Sequence, residues 1–278
     1  LNVAFIRAQH HLHDDPKLLD DPYAHRLLTE AEMAKALAGT CERVFPAGAF
    51  ICMKGEPVDY WMGMINGLGK MASHWTTGKT TSLAALVDYR NENSYGHIIT
   101  LEDPIEYEIP SVRQVHIRHT HGVTFASGLR SALRQDPDVI MVGEIRDGET
   151  ANLGVQAALT GHLVFTTLHT NNAAQTIDRI IDSFPGEQQD QIRTQLDGSL
   201  LGIFSQRLVP RISGGLVPAY ELLINNAAVA NLIRERRVHE VYSIIETGLE
   251  LGMIDMNRSL AQLVQRGEIS VENAFMYS

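Results

Sequence analysis

The sequence predicts an α/β fold built on a parallel sheet, and three observations carry the prediction. From about residue 96 onward, short apolar runs alternate with helical patterns, the order that strand–helix–strand units produce. The runs themselves, such as Ile98-Ile99-Thr100-Leu101 and Val139-Ile140-Met141-Val142, are continuous rather than alternating, so both faces are expected to be buried. Finally, Gly78-Lys79-Thr80-Thr81 has the form of a helix start that follows a phosphate-binding loop.

Taken in order, residues 97–101 read as a strand. Thr124 then opens a helix over 125–135, followed by a strand at 138–143 and a helix at 148–159. A third strand spans 162–168. Helices are expected over 173–183 and 187–208, then a short strand around 216–223. After about Asn225 the pattern becomes all-helical, which marks a subdomain change. Residues 1–38 are rich in His and Asp and read as helical, broken at Asp14-Asp15-Pro16 and Asp20-Asp21-Pro22. Over 43–72, Gly, Pro and Asp are spaced as in short antiparallel strands and turns. The expected division is 1–28, 29–72, a core at 73–225 and a helical unit at 226–278.

Composition narrows the function. The chain has 278 residues, 44% hydrophobic and 20% charged, as globular domains do. No run approaches the roughly 20 apolar residues of a membrane span, and no signal-peptide pattern opens the chain, so a cytoplasmic protein without membrane insertion is expected. Two cysteines, Cys41 and Cys52, cannot make a four-thiolate zinc site and suit a reducing compartment. A formal charge of −10 argues against broad nucleic-acid binding, which needs concentrated Lys and Arg.

Several residues carry candidate chemistry, each with a plainer alternative. Ser73-His74-Trp75-Thr76-Thr77-Gly78-Lys79-Thr80-Thr81 has the tail of G-x-x-x-x-G-K-[ST], with Ser73 at the first glycine position. As a phosphate loop it would cradle ATP through Thr77, Gly78, Lys79, Thr80 and Thr81, with Thr80 on Mg²⁺; otherwise it is simply a helix start. Glu144 ends an apolar strand, either facing a metal and an attacking water or merely solvated. The carboxylates of Glu102-Asp103-Pro104-Ile105-Glu106 follow another strand and so fall at the ligand edge of a parallel sheet. His162 and His169 bracket the strand between them; one could sense a γ-phosphate, and satisfied structural histidines are the alternative. Arg130, Arg134 and Arg146 could meet phosphate or a neighbouring subunit, or be solvated charges.

Together these strings resemble one family. Ile99-Thr100-Leu101-Glu102-Asp103-Pro104-Ile105-Glu106 is similar to the Asp box of type II/type IV secretion ATPases. Met141-Val142-Gly143-Glu144-Ile145-Arg146-Asp147 resembles their Walker B segment, and Thr160-Gly161-His162 through Leu168-His169-Thr170 their His box. The likeness covers about residues 74–278. Thr176-Ile177-Asp178-Arg179-Ile180-Ile181-Asp182-Ser183-Phe184-Pro185 and Val229-Ala230-Asn231-Leu232-Ile233-Arg234-Glu235 resemble the branch that retracts type IV pili, with Ala230 where that branch has Arg. The resemblance implies a RecA-like P-loop NTPase core with a helical C-terminal subdomain, behind an atypical N-terminal region. It implies ATP hydrolysis with ATP and Mg as cofactors, in a hexameric ring that works on an inner-membrane pilus platform protein. Glu106 would be the Asp-box catalytic carboxylate, Glu144 the Walker B acid and metal ligand, and His162 and His169 would couple the site to subunit motion. In place of two loop glycines stand Ser73 and Thr76, so a catalytically inactive nucleotide-binding or chimeric protein is the competing reading. Phe45-Pro46-Ala47-Gly48 through Gly67-Leu68 is similar to the start of a cyclic-nucleotide-binding barrel. Asp20-Asp21-Pro22-Tyr23-Ala24 resembles the opening of a leucine-carboxyl-type methyltransferase.

Overall fold

The structure, a computed structural model, describes residues 48–53, 79–93 and 95–278. The phosphate-loop residues 73–78 and the methyltransferase-like residues 1–28 lie outside these, as does most of the 29–72 segment.

Among the described residues, seven strands form one sheet. They are β1 (Gly48–Met53), β2 (Ile98–Glu102), β3 (Arg113–His116), β4 (Val139–Val142), β5 (Leu163–Leu168), β6 (Leu200–Pro210) and β7 (Leu216–Ile224), in the spatial order β3-β2-β4-β5-β1-β6-β7. The block β3-β2-β4-β5 is parallel. β2, β4 and β5 are buried at every position, which is why their sequences do not alternate. β1 lies between β5 and β6 and runs antiparallel to both, so that Met53 pairs with Val164 near the amino end of β5. β6 and β7 form a long antiparallel hairpin.

Helices cover the sheet: α1 (Lys79–Asn93), α2 (Phe125–Ala132), α3 (Gly148–Leu159), α4 (Ala173–Asp182) and α5 (Gly186–Ser199). Their starts follow from local chemistry. Thr124 and Ser127 form a reciprocal capping box on α2, Asp147 accepts from Thr150 N–H to cap α3, and Asn172 caps α4. Asp136, with φ at +50°, turns the chain between the short 3₁₀ turn after α2 and β4. The main core gathers Leu83, Leu101, Leu129, Ile140, Phe165, Ile177 and Leu196. α6 (Ala227–Arg234) and α7 (Val241–Thr247) pack into this same core through Val229, Leu232, Ile233, Val241 and Ile245, and α8 (Met256–Gln265) and α9 (Val271–Tyr277) complete the all-helical end. There the far half of the β6–β7 hairpin (Val209, Val217, Ala219) closes a second core with Met256, Leu260, Leu263 and Ile269.

Two features differ from expectation. The helix expected over 187–208 stops at Ser199, and the chain continues as β6. Leu200, Ile203, Phe204 and Leu208 are spaced for a helix, but pairing with β1 and β7 decides the outcome, and Gly202 lets Leu223 O approach within 2.8 Å of where a Cβ would stand. β3 was not foreseen. It is a four-residue edge strand with exposed ends, too short and polar to show a period.

Candidate functional site: the carboxyl edge of the parallel strands

The short link from α1 to β2 makes α1 antiparallel to β2. The far end of α1 is pinned by Asn91 Nδ2, which donates to Pro110 O at 2.8 Å just before β3 begins. Leu83, Leu86 and Val87 bury one side of the helix, which packs over β5. The helix therefore opens at the carboxyl edge of β2, β4 and β5. Its first backbone N–H groups have no partner within the helix and, with the macrodipole, favour an anion there.

Across that edge runs a row of side chains in which basic and acidic groups alternate. His119 Nε2 is 3.6 Å from Asp103 Oδ2, and Arg146 Nη1 is 4.0 Å from the same oxygen. Arg146 Nη2 donates to Glu144 Oε1 at 2.5 Å, and His169 Nε2 lies 3.6 Å from Glu144 Oε2. Glu144 is the least exposed member, at 19% of its side chain. The Arg146 guanidinium holds the Glu144 carboxyl below the usual carboxylate range, against the opposing effect of partial burial, with His169 adding to the pull. In return, Glu144 holds the Arg146 proton more firmly than usual.

The backbone under Glu144 is clamped from both sides. Gly143 N–H donates to Leu101 O at 2.8 Å, and Ile145 N–H to Thr167 O at 3.1 Å. Thr167 Oγ1 donates to Gly143 O at 2.6 Å. A Cβ on Gly143 would stand 3.0 Å from Leu101 O, so the strand ends approach as closely as they do because residue 143 has none.

The predicted residues are distributed unevenly. Glu144 and His169 meet at the ends of the adjacent strands β4 and β5. His162 lies at the amino end of the same strand, its Nδ1 3.0 Å from Ala157 O and 3.1 Å from Thr160 Oγ1, where it secures the turn after α3. Glu106 is exposed in the loop after β2 and lines a shallow cleft with Glu108, Pro110 and Gln114. Glu102 is buried and turned sideways, accepting from Thr100 Oγ1 at 2.5 Å and Gln114 Nε2 at 2.9 Å. Arg130, on α2, pairs with Glu149 of α3. For Lys79 and Thr80 the structure gives only their place in the first turn of α1. Sequence reasoning missed His119, which follows β3, a strand whose own sequence shows no period and so gives no local signal.

The donor set fits a nucleotide with its magnesium ion. A helix N-terminus faces the edge as an anion cradle, and the hard carboxylate oxygens of Glu144 and Asp103 stand at the same edge. Magnesium is commonly held by one or two carboxylates while phosphates complete its shell.

Comparison with known proteins agrees with the geometry. Residues 75–265 match the family described as Type II/IV secretion system protein. The type IV pilus retraction ATPase PilT of Pseudomonas aeruginosa is 50% identical over 204 residues, 71% of this chain and 58% of that protein. A twitching motility protein of Neisseria gonorrhoeae is 48% identical over 202 residues, 71% of this chain and 54% of its own length. The crystal structure of the pilus retraction motor PilT with bound ADP superposes with a TM-score of 0.66 at 42% identity, covering 81% of this chain and 65% of that one. The Legionella pneumophila ATPase DotB superposes at 0.62 with 28% identity, over 89% of this chain and 63% of its own. The chain thus spans well under two thirds of the two curated relatives named here. Its sheet and helices form a RecA-like core. With a match that runs through most of the described residues, the chain belongs to the type II/IV secretion system protein family.

Proposed function

We propose that this chain carries the ATP-hydrolysing core of a motor that retracts type IV pili. The observation that carries the proposal is the strand-end pair Glu144–His169, set at the edge where α1 opens. The likeness to PilT supports the pilus role.

In this reading ATP is the substrate, and its phosphates lie against the first turn of α1. Thr77, Gly78, Lys79, Thr80 and Thr81 bind them through backbone N–H groups and the Lys79 ammonium. Magnesium would be held by Thr80 and Glu144, and it supplies charge neutralisation to the phosphates. Glu144 orients the attacking water and accepts its proton. His169, beside Glu144, reports the terminal phosphate to the segment that leads into α4. We assign Glu106, in the loop after β2 at the same carboxyl edge, the role of a second catalytic carboxylate, and His162, at the amino end of β5, a part with His169 in coupling the site to subunit motion. The assembly is a homohexameric ring, in the cytoplasm, acting on an inner-membrane platform protein. Among the described residues no helix is long and apolar enough to cross a membrane.

Steady-state ATP hydrolysis by the purified chain, beside Lys79→Ala and Glu144→Ala, tests the proposal. Turnover in the parent that both substitutions abolish supports it. No turnover above background in the parent rejects it, and the family fold would then persist without its chemistry. A monomer at all concentrations with ATP present rejects the ring.

A further inference from the structure

The pairing of Glu144 has a consequence for how ATP is told from ADP. Residues 144 and 146 are two apart on the segment that leaves β4, and their side chains meet in a hydrogen bond, while Ile145 N–H is fixed to Thr167 O between them. Asp147, next along, is locked as the cap of α3. The root of Arg146 is thus held rigidly, and its guanidinium, 54% exposed at the side chain, reaches Glu144 at 2.5 Å and Asp103 at 4.0 Å.

A carboxylate paired with a guanidinium is a weakened metal ligand and a weakened base, because its charge is already compensated. A terminal phosphate offers the same planar fork more oxygens and more negative charge than one carboxylate does. Asp103, within reach of the same guanidinium, is a second acceptor at the edge. The diphosphate lacks the terminal group and so competes less well for the arginine.

We propose that Arg146 is a latch shared between Glu144 and the terminal phosphate of ATP, so that engaging the triphosphate releases Glu144 for its work. Arg146 is then a positioning residue for Glu144 and a source of triphosphate-over-diphosphate selectivity. The inference rests on the reading of the site as an ATPase site.

The test uses the full 278-residue chain with magnesium. Calorimetry measures affinity for a non-hydrolysable ATP analogue and for ADP in the parent, Arg146→Ala and Arg146→Lys. One charge-assisted contact to phosphate sets the scale, so Arg146→Ala is expected to weaken analogue binding by roughly ten- to a hundredfold. Affinity for ADP is expected to change by no more than about twofold, and Arg146→Lys to recover part of the loss. A melting temperature close to the parent's confirms the fold, as expected for a half-exposed side chain. Equal weakening for both nucleotides, or none for either, overturns the latch and leaves the ATPase reading intact. A parent that binds neither nucleotide overturns both.

Discussion

Thr167 and Thr166 are adjacent in β5, both buried, yet only one of them holds the backbone beneath Glu144, and replacing each with valine separates the two roles. Thr167 is 4% exposed, and its Oγ1 donates to Gly143 O at 2.6 Å. Thr166 is fully buried, and among the described residues its hydroxyl has no hydrogen-bond partner. Valine preserves the shape and β-branching of threonine but removes the hydroxyl. Thr167→Val therefore deletes one hydrogen bond, worth about 0.5–1.5 kcal/mol net, and leaves the part-buried Gly143 carbonyl short of a donor, a cost of about 1–3 kcal/mol when burial is complete. Gly143 O sits at a strand end where water can approach, so the expected loss is about 1–2 kcal/mol. For a fold of this size that lowers Tm by roughly 2–8 °C. Thr166→Val removes an unpaired buried hydroxyl, so stability is expected to hold or rise. Urea unfolding with an unchanged m value gives both differences. In the same samples, under the ATPase activity proposed above, kcat for ATP is expected to fall about tenfold in Thr167→Val with a smaller change in nucleotide affinity, since displacing the carboxylate proposed to act on the attacking water affects chemistry more than binding. Equal unfolding free energies for the two variants would refute the clamp, and an unchanged kcat would refute its link to Glu144.

Two further substitutions probe how the site is carried by the fold. Asp147→Ala removes the side chain that accepts Thr150 N–H at 2.7 Å, and should cost about 1 kcal/mol in a thermal melt, most of it restored by Asp147→Asn. Glu221 is 2% exposed and accepts Ala173 N–H at 2.8 Å at the start of α4. Burial pushes its carboxyl above the ordinary range, more than the backbone donor pulls it down. The folded protein therefore binds this proton more tightly than the unfolded chain, so stability falls as pH rises from about 4 through the raised value. Glu221→Gln keeps an acceptor without a charge and should flatten that fall, read as denaturation midpoints across pH.

How far the sequence could be read depended on what decides each element. α3 was placed at its observed bounds, and β2, β4, β5 and α4 to within a residue at either end, because continuous apolar runs and side-chain caps are local signals. The 200–208 stretch failed because Ser205 and Gln206 look like the polar side of a helix. In the fold both are buried inside a strand, a context that only partner strands provide. At the site, the strand-end positions of Glu144 and His169 were legible; that their side chains meet was not. Nor was the sharing of Arg146 between Glu144 and Asp103, since it depends on side-chain reach across two strands.

Strand direction was the least legible property, and it bears on how the phosphate-binding element is anchored. The strand beside β5 is β1, which reaches the amino edge at Met53, whereas α1 opens at the carboxyl edge with Lys79. β1 therefore does not run straight into α1 as the strand of a strand–loop–helix phosphate unit would. What fixes the opening turn of α1 among the described residues is the helix itself: Leu83, Leu86 and Val87 bedded on the sheet, and Asn91 bonded to Pro110. A helix start anchored from behind in this way keeps its first N–H groups aimed at the edge where Glu144 stands.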